Sequence, residues 1–440
     1  MRKAITAVLS HSDNIFVITR QNTLTTFPGY SAFPGGTVEV HDDLDLGPFH
    51  SLTHDLQGAL VRELKEELNF DLVEFMRIGQ VEALTHLGVA ITPSFNPYRF
   101  ETHFVHIELK SIPSFQLDQH EIARGEWLNA SQVLSEYYQC LRICVPPTRR
   151  VLEAFASPVR PIQVDFSIGQ SEDHDVPYIE TIYGVIQFLP LSNTFPPANR
   201  TNCFLIGDDK KVLIDPSPKD ESELNKFKNT LKNFEIDLVF LTHHHPDHHE
   251  FAPDLCRTLN VPVAMSTITH DFILKKWGPD YFANIEVRFV KEGDILTRSL
   301  ETDIILYHVP GHDEGQLALA RRDHRWIIVG DLIQAVGTVV IGAPEGDMAK
   351  YFNSLKRMID LRPQFIVPSH GITLGGTQKL EMTLKHRQLR EEQIIALLRE
   401  GRNQEEILNI VYEGLDPGLV KYARKTIAAH IAKITVEKLI

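Results

Sequence analysis

The sequence predicts a multidomain α/β protein that ends in a small helical module. At 440 residues the chain is long enough for two or three domains, each with its own core. Apolar runs with the composition of buried strands alternate with amphipathic helical segments along most of the chain. The last segment, 379–440, shows helical periodicity alone.

The composition is that of an ordinary globular protein, and the net charge limits the kinds of partner that the protein is expected to bind. The formal net charge of −14 opposes a general basic surface for nucleic acids, although bound divalent cations reverse the sign locally. No apolar stretch is long enough to span a bilayer, and the apolar run near Met1 is too short for a signal peptide. We therefore expect a cytoplasmic protein with no membrane partner. The four cysteines lack CxxC spacing, which favours buried thiols over a disulfide framework.

The N-terminal region begins with two predicted strands and continues to a helix. The strands at 4–9 and 15–19 are apolar runs joined by a polar turn. A Phe-Pro-Gly-Gly segment at 33–36 follows, in which the glycines permit a tight turn. After an acidic, loop-like insertion at 37–55, the pattern at 58–68 predicts an amphipathic helix.

Three carboxylates, those of Glu63, Glu66 and Glu67, lie on one side of this predicted helix. Like charges so placed repel, so the alternatives are a solvated acidic face and a divalent cation site. With the Phe-Pro-Gly-Gly turn and the pair Arg62-Glu63, the pattern resembles the Nudix box, GX5EX7REUXEEXGU with U aliphatic. The resemblance implies that all three glutamates bind Mg²⁺ or Mn²⁺, which activates water against a diphosphate, and that Glu66 and Glu67 are catalytic.

Two features depart from the Nudix box. The segment between the glycines and the glutamates is longer than usual, and Asn69 stands where the box has glycine. Asparagine tolerates the left-handed conformation better than most residues, so Asn69 need not break the turn. A long insertion occurs in the Nudix branch that resembles coenzyme A diphosphatases. Further similarities to that branch lie at residues 91–93, 99–104, 121, 127–128 and 146–148.

A histidine-rich tract follows the predicted buried strand at 236–241. Imidazoles together with a carboxylate are ligands that suit Zn²⁺. Alone, the tract could be a solvated loop or a weak adventitious metal site. Three further candidates, however, each follow an apolar strand-like run, so the ligands should converge on one edge of a sheet. The candidates are His243, His245, Asp247 and His248 in the tract, and His312, Asp331 and His370 downstream.

This pattern, HxHxDH followed by His, Asp and His, resembles the metallo-β-lactamase superfamily. The resemblance implies an αββα sandwich and a site for two Zn²⁺ ions. The first ion would be held by His243, His245 and His312, the second by Asp247, His248 and His370, with Asp331 bridging. Two cations roughly 3.5–4 Å apart lower the pKa of a bridging water and stabilise a developing oxyanion. Asp247 is also expected to be catalytic, because it could hold or accept a proton of that water.

Supporting features surround this pattern. The ligand imidazoles must be neutral, so activity should fall as the pH drops through their titration. Asn202 and Asp215 stand where the superfamily places structural polar residues. Residues 344–348 and 351–355 resemble, more narrowly, the β-lactamase-like protein 2 branch, whose members include single-strand-specific endoribonucleases. The likeness extends through 379–440, which resembles the winged-helix-like appendage of that branch.

Basic residues nearly balance the acidic ones in this final segment, unlike in the rest of the chain. They indicate either a phosphate-facing surface or solvated helix faces. The predicted organisation is a Nudix α/β/α sandwich, a linker, a metallo-β-lactamase αββα sandwich and a winged-helix-like module, at 1–155, 156–180, 181–378 and 379–440.

The leading functional hypothesis is a zinc-dependent phosphodiesterase that cleaves single-stranded RNA. A small thioester, of the acyl-CoA or glutathione type, is the alternative substrate for the same site. The Nudix domain is expected to hydrolyse a nucleoside-diphosphate-linked compound, with a non-catalytic nucleotide sensor as the alternative. The sequence is compatible with both a monomer and a homodimer.

Overall fold

The computed structural model describes residues 1–47, 52–96, 99–167, 169–171 and 173–439. Residues 48–51 of the predicted insertion, 168 and 172 of the predicted linker, and 440 of the predicted C-terminal module lie outside the described residues. The chain folds into two compact units. The first comprises Met1–Gln170 with Ile179–Tyr183, and the second Ser171–Tyr178 with Gly184–Ile440.

The first unit is built on a mixed sheet with helices on both faces. Its strands are β1 (Arg2–His11), β2 (Asn14–Arg20), β3 (Ser31–Ala32), β4 (Gly35–Thr37), β5 (Val81–Ile91), β6 (Phe100–Leu109) and β7 (Ile122–Asn129). Its helices are α1 (His54–Leu68), α2 (Leu72–Arg77), α3 (Ala130–Tyr138) and α4 (Pro146–Phe155). The strand order is β3-β2-β1-β6-β5, with β4 paired to β1 and β7 paired to β2. Only the β1–β6 pair is parallel among the pairs recorded in this sheet.

Alternation along the first two strands explains the two covered faces. Ile5 and Phe16 pack in a core that includes Leu60 and Leu64 of α1. Val8 and Val17 point the other way, into a second core with residues of α3 and α4. The predicted α/β/α sandwich is therefore confirmed.

The second unit contains two sheets. Strand β8 (Tyr178–Ile182) precedes both sheets in the chain. The first sheet contains β9 (Val185–Phe188), β10 (Cys203–Ile206), β11 (Val212–Ile214), β12 (Leu238–Phe240), β13 (Val263–Met265) and β14 (Val287–Phe289). The other sheet has β15 (Ile295–Ser299), β16 (Thr302–His308), β17 (Leu317–Arg321), β18 (Trp326–Gly330), β19 (Phe365–Pro368) and β20 (Leu374–Gly375). β11 to β14 are parallel, and β18 and β19 form the parallel pair of the other sheet.

Helices cover the outer faces of these sheets. They are α5 (Glu221–Leu231), α7 (Ala252–Leu259), α8 (Thr267–Trp277), α9 (Met348–Asp360) and α10 (Gln378–Arg399), whereas the short helix α6 (Pro246–His249) lies between β12 and α7 in the chain. Phe227 and Leu255 pack on Leu213 and Val239 of the first sheet. Leu355 and Leu380 pack on Ile327 and Ile366 of the other. This arrangement is the predicted αββα sandwich.

The C-terminal module is helical, as predicted. It consists of the second half of α10, then α11 (Gln404–Val411), a 3-10 turn (Pro417–Leu419) and α12 (Val420–Val436). Ile394, Ile407 and Ile427 form its own small core. The described residues 379–439 contain helices and turns and no β-strand, so the likeness to a winged helix extends to the helices.

Two further expectations can be compared with the structure. All four cysteines are free and buried, as their spacing predicted. Among the described residues, no helix has both the length and the apolar character needed to cross a membrane.

Candidate metal centres

The second unit brings the three nitrogen donors expected for the first metal together. Nε2 of His243 lies 3.1 Å from Nδ1 of His245, and Nε2 of His312 lies 2.9 Å from that same nitrogen. His243 and His245 lie in the loop after β12, and His312 lies in the loop after β16. Strands of two different sheets therefore deliver the three imidazoles to one point.

The second expected group is assembled in the same way. Asp247 and His248 lie on the short helix α6, and His370 follows β19. Oδ2 of Asp247 lies 3.9 Å from Nε2 of His248 and 3.6 Å from Nε2 of His370. The three donors all lie within 4.8 Å of one another, as do those of the first group.

Asp331, at the end of β18, faces both groups. Its Oδ2 lies 3.8 Å from Nε2 of His312 in the first group. Its Oδ1 lies 3.6 Å from Nε2 of His248 and 3.3 Å from Nε2 of His370 in the second. One carboxylate thus presents one oxygen to each set of donors, as a bridging ligand does.

Three of these donor atoms are buried without a hydrogen-bond partner. They are Nε2 of His248, Nε2 of His370 and Oδ1 of Asp331. Burying polar atoms unpaired is unfavourable, and such atoms are rare in native structures. All three point to the same place, and a divalent cation there would satisfy them together. The residues present therefore fit a pair of metal ions of the kind that nitrogen and carboxylate ligands prefer.

Hydrogen bonds on the far side of the rings fix which nitrogen faces the centre. Nδ1 of His248 donates to Oδ2 of Asp215 at 2.8 Å. The hydroxyl of Thr242 donates to the same oxygen at 2.6 Å, and Nδ1 of His243 donates to that hydroxyl at 3.0 Å. With Nδ1 protonated, Nε2 of both rings carries the lone pair that a metal needs.

Main-chain carbonyl groups do the same for two other imidazoles. Nδ1 of His312 donates to the carbonyl oxygen of Val340 at 2.9 Å. Nδ1 of His370 donates to that of Arg200 at 3.0 Å. The loops that carry Arg200 and Val340 therefore orient one imidazole of each group.

The charges of the site are strongly coupled. Burial would raise the pKa of Asp331, but His370 and His248 outweigh it and hold that pKa well below its usual value. Burial lowers the pKa of His312 to about 4, and the neighbouring His245 adds to this effect. The second group behaves differently, because Asp247, Asp331 and Asp215 together overcome burial and raise the pKa of His248. The buried carboxylates of this group thus require positive charge, which a cation would supply.

Sequence reasoning missed several residues around the centre. Oε2 of Glu345 lies 3.8 Å from Nε2 of His245, and its Oε1 lies 3.6 Å from Nε2 of His244. His244 is also hydrogen-bonded to the buried Asp313. Burial would lower the pKa of His244, but its bonds to Asp313 and Glu345 raise it to about 9. The segment around Glu345 stood out in the sequence as a branch feature, yet nothing in its spacing indicated which histidines it faces.

In the first unit, the three glutamates of α1 are the candidate ligands of a separate metal centre. Oε2 of Glu67 accepts a hydrogen bond from the Gly35 amide at 2.9 Å. Glu63 lies against Gly36, where an added Cβ would come within 2.2 Å of Oε1 of Glu63. At Gly35, with φ of 145°, an added Cβ would come within 2.1 Å of the carbonyl oxygen of Ile5, so this position of the Phe-Pro-Gly-Gly segment requires glycine.

Arg62 compensates part of the negative charge on this helix. Its Nη1 lies 2.9 Å from a carboxylate oxygen of both Glu63 and Glu66, and its Nε lies 3.0 Å from Asp42. Among the described residues, the donor sets that gather within 4.8 Å lie in the second unit. The glutamates are therefore more widely spread than the histidine centre, as mutual repulsion favours.

Burial makes one of these carboxyl groups a weak acid. It raises the pKa of Glu67 to about 8, and the neighbouring Glu63 and Glu121 act in the same direction against the Gly35 hydrogen bond. Burial also raises the pKa of Glu63. Glu121 directly precedes β7 and places a further carboxylate near α1. The sequence had marked it as a branch similarity without giving it a role.

The two departures from the Nudix box leave the helix intact. Asn69 ends α1 in the left-handed conformation, with φ of 51°, as expected for the residue that replaces glycine. In the described part of the insertion, Leu46 is buried in the core against α1, and its amide donates to Gln57 at 2.6 Å. These contacts explain why α1 begins at His54, upstream of the predicted start.

Comparison with known proteins agrees with both halves of this description. A model of the NUDIX domain family matches residues 1–142, and a model of the metallo-beta-lactamase superfamily matches residues 196–370. The chain carries a NUDIX domain followed by a metallo-β-lactamase-superfamily domain. Both domains belong to families of hydrolases, so the protein is a metal-dependent hydrolase.

The known proteins similar to this chain include a beta-lactamase-like protein and a thioesterase. A beta-lactamase-like protein 2 homolog of Drosophila melanogaster is 24% identical over 58% of this chain and 88% of its own length. An atrochrysone carboxyl ACP thioesterase of Claviceps purpurea is 24% identical over 46% of this chain and 62% of its own length. A beta-lactamase domain protein of Burkholderia ambifaria, of known crystal structure, has a TM-score of 0.52 at 20% identity. It covers 62% of this chain and 91% of its own, and shows the shared fold.

Proposed function

We propose that the metallo-β-lactamase domain binds two Zn²⁺ ions and hydrolyses phosphodiester bonds in single-stranded RNA. The observation that carries the two-metal part is the position of Asp331, whose two oxygens face the two donor groups separately. The first ion would be held by His243, His245 and His312, the second by Asp247, His248 and His370, and Asp331 would contact both.

When bound, the ions would supply a hydroxide nucleophile at neutral pH and stabilise the charge that develops on the attacked group. The protein would provide the orientation. Asp247 is placed to handle a proton, because its side chain is 14% exposed whereas that of its neighbour His248 is fully buried. Its Oδ2 also lies 3.4 Å from the hydroxyl of Thr201, which holds the carboxylate in place.

RNA is favoured as the substrate by the relationship to beta-lactamase-like protein 2 homologs, which extends over more of the chain than the thioesterase match. The test is cleavage of a 5′-labelled single-stranded RNA by the wild type, Asp247→Asn and Glu66→Gln, with metal content determined. We expect cleavage by the wild type and by Glu66→Gln, and its loss in Asp247→Asn. A wild type that holds its metal and leaves RNA intact contradicts the proposal.

A thioester is the second candidate substrate for the same centre. The similarity to the ACP thioesterase of Claviceps purpurea favours it. The attack on a thioester carbonyl needs the same nucleophile and the same stabilisation of an oxyanion. Turnover of acyl-CoA and glutathione thioesters, measured beside RNA cleavage with the same preparation, distinguishes the two candidates.

For the NUDIX domain we propose hydrolysis of a nucleoside-diphosphate-linked compound with Mg²⁺ or Mn²⁺ held by Glu63, Glu66 and Glu67. The left-handed Asn69 and the packed insertion support an active domain, because neither disturbs α1. A panel of nucleoside diphosphate conjugates, including coenzyme A, should reveal turnover that Glu66→Gln abolishes. Binding of a nucleotide without turnover would instead make the domain a sensor.

A further inference from the structure

Helix α12 carries some cationic side chains that pair with carboxylates and others that do not. Arg424 lies 2.8 Å from Glu405, and Lys433 lies 2.6 Å from Glu391. Among the described residues, no carboxylate lies within ion-pair distance of Lys421 or Lys425, and both side chains are exposed. One side of the helix therefore presents two uncompensated ammonium groups, since residues four apart are neighbours on a helix.

Lys425 lies against a loop of the metal centre. The loop includes Gly342, where an added Cβ would come within 2.8 Å of Cβ of Lys425. Only glycine permits so close an approach between this loop and α12. Two residues earlier, the carbonyl oxygen of Val340 holds Nδ1 of His312. Lys425 is thus joined through one short loop to an expected ligand of the first metal.

Tyr422 lies beside a second loop of the same centre. Its ring contacts that of Phe195 edge to face, with centroids 4.7 Å apart. Nζ of Lys421 lies 4.8 Å from the centre of the Tyr422 ring. Phe195 is 59% exposed. The loop then continues to Arg200, whose carbonyl oxygen holds Nδ1 of His370.

We propose that Phe195, Tyr422, Lys421 and Lys425 form a track that binds the single-stranded RNA flanking the phosphate to be cleaved. Exposed aromatic rings stack on unpaired bases whatever their sequence, and ammonium groups bind the backbone phosphates. A duplex hides its base faces, so this combination of groups selects a single strand. The inference deepens the proposed RNA cleavage and rests on it.

The track explains how an acidic protein can hold a polyanion. Of the eleven basic residues of the segment 379–440, several are occupied inside the fold. Arg387 donates to the carbonyl oxygen of Val339, and Arg390 donates to that of Val411. The ammonium groups left on α12 are those beside the two loops of the metal centre. A small number of phosphate contacts predicts modest affinity with a shallow dependence on salt.

The test compares variants of the full chain that remove the track with a matched charge removal on the same helix. The variants are Lys421→Ala, Lys421→Ala/Tyr422→Ala and the control Arg424→Ala, whose guanidinium faces Glu405. For each, kcat/KM is measured on an unstructured RNA of about 20 nucleotides and on bis(p-nitrophenyl) phosphate. We expect the preference for RNA over the small diester to fall about tenfold in the double variant, as loss of a stacking contact predicts. The control should keep the wild-type preference.

Salt dependence gives an independent measurement. Binding of a fluorescent RNA is followed by anisotropy in an Asp247→Asn background, so that the strand stays intact. Removing one phosphate contact should reduce the slope of log K against log salt by about 0.7 in Lys421→Ala. An unchanged slope and an unchanged preference in an RNA-cleaving wild type overturn the track alone. A wild type that does not cleave RNA overturns the proposed substrate instead.

Discussion

Oδ2 of Asp215 lies 2.8 Å from Nδ1 of His248, and both side chains are almost completely buried. The same carboxylate accepts the amide and the hydroxyl of Thr242, through which it also orients His243. One residue outside the expected ligand set thus fixes an imidazole of each donor group. Its importance follows from geometry, because a ligand ring that can rotate or change tautomer binds metal more weakly.

Asp215→Asn should therefore weaken zinc binding about tenfold to a hundredfold. Asn is similar in shape and tolerates the left-handed φ of 50° found at this position, so the fold should survive. Competition with a chromogenic chelator measures the change. Asp209→Asn is the control, because its side chain is 69% exposed on a nearby turn. Equal zinc affinity in the two variants would show that Asp215 does not orient the ligands.

In buffer without Mg²⁺ or Mn²⁺, removing zinc should destabilise the second unit and leave the first unchanged. A ligand that binds only the native state contributes about 4 kcal/mol when its free concentration is about 1,000 times Kd. The buried donors Nε2 of His248 and Oδ1 of Asp331 would then lack partners. Differential scanning calorimetry with a chelator, and again after zinc is restored, measures the shift. A transition that the chelator does not move would contradict a buried metal centre.

Glu67→Gln should stabilise the metal-free NUDIX domain while abolishing its activity. A carboxyl group with a raised pKa stabilises the fold below its unfolded pKa, and this contribution is lost as the pH rises through the folded value. For Glu67 the window runs from about 4.5 to about 8. Gln keeps an oxygen for the Gly35 amide and carries no charge, so the variant should gain about 4 kcal/mol of unfolding free energy near pH 8 in the presence of a chelator.

Urea unfolding at several pH values measures this gain. The matched control is Glu66→Gln, because the side chain of Glu66 is 60% exposed. It should lose Mg²⁺-dependent hydrolysis as well, yet show no gain in stability. If both variants gain equally, burial of Glu67 is not the cause.

His106 should make the first unit sensitive to acid. The hydroxyl of Ser10 donates to Nε2 of His106 at 2.7 Å and accepts from Arg160 at 3.0 Å, an arrangement that needs a neutral ring. Burial lowers the pKa of His106 to about 4, and Arg160 adds to the effect. A lowered pKa means that the unfolded chain binds the proton first, so stability falls between pH 6.5 and 4, by about 3 kcal/mol.

His106→Gln removes this titration while keeping an acceptor for Ser10. The fall in unfolding free energy over that pH range should be smaller in His106→Gln than in the wild type. The exposed His120→Gln is the control and should follow the wild type. Parallel curves for all three proteins would refute the assignment.

The sequence predicted the layered folds and brought the seven candidate ligands to one site because both depend on local patterns. Apolar runs identify the strands, and a ligand directly after a buried strand must lie at a sheet edge. The conformation of Asn69 was predictable for the same reason, since backbone preference belongs to the single residue.

Features that depend on distant contacts could not be predicted in this way. The carbonyl oxygen of Arg200 meets His370, 170 residues away along the chain. Glu345 reaches His244 and His245 only because two sheets pack together. Similarly, the start of α1 shifted to His54 because the insertion packs on the helix, although its composition resembled that of a loop. The spacing of residues in the sequence does not indicate which distant residues come into contact.

The two-metal centre is tested most directly by measuring the zinc content of the chain beside RNA cleavage, in the wild type and in Asp331→Asn. Zinc is counted after gel filtration in buffer without free metal. We expect two zinc ions per chain in the wild type, with loss of at least one ion and of cleavage in Asp331→Asn, since this carboxylate faces both groups. A variant that keeps two ions and full cleavage, or an active wild type with a single ion, would contradict the two-metal centre.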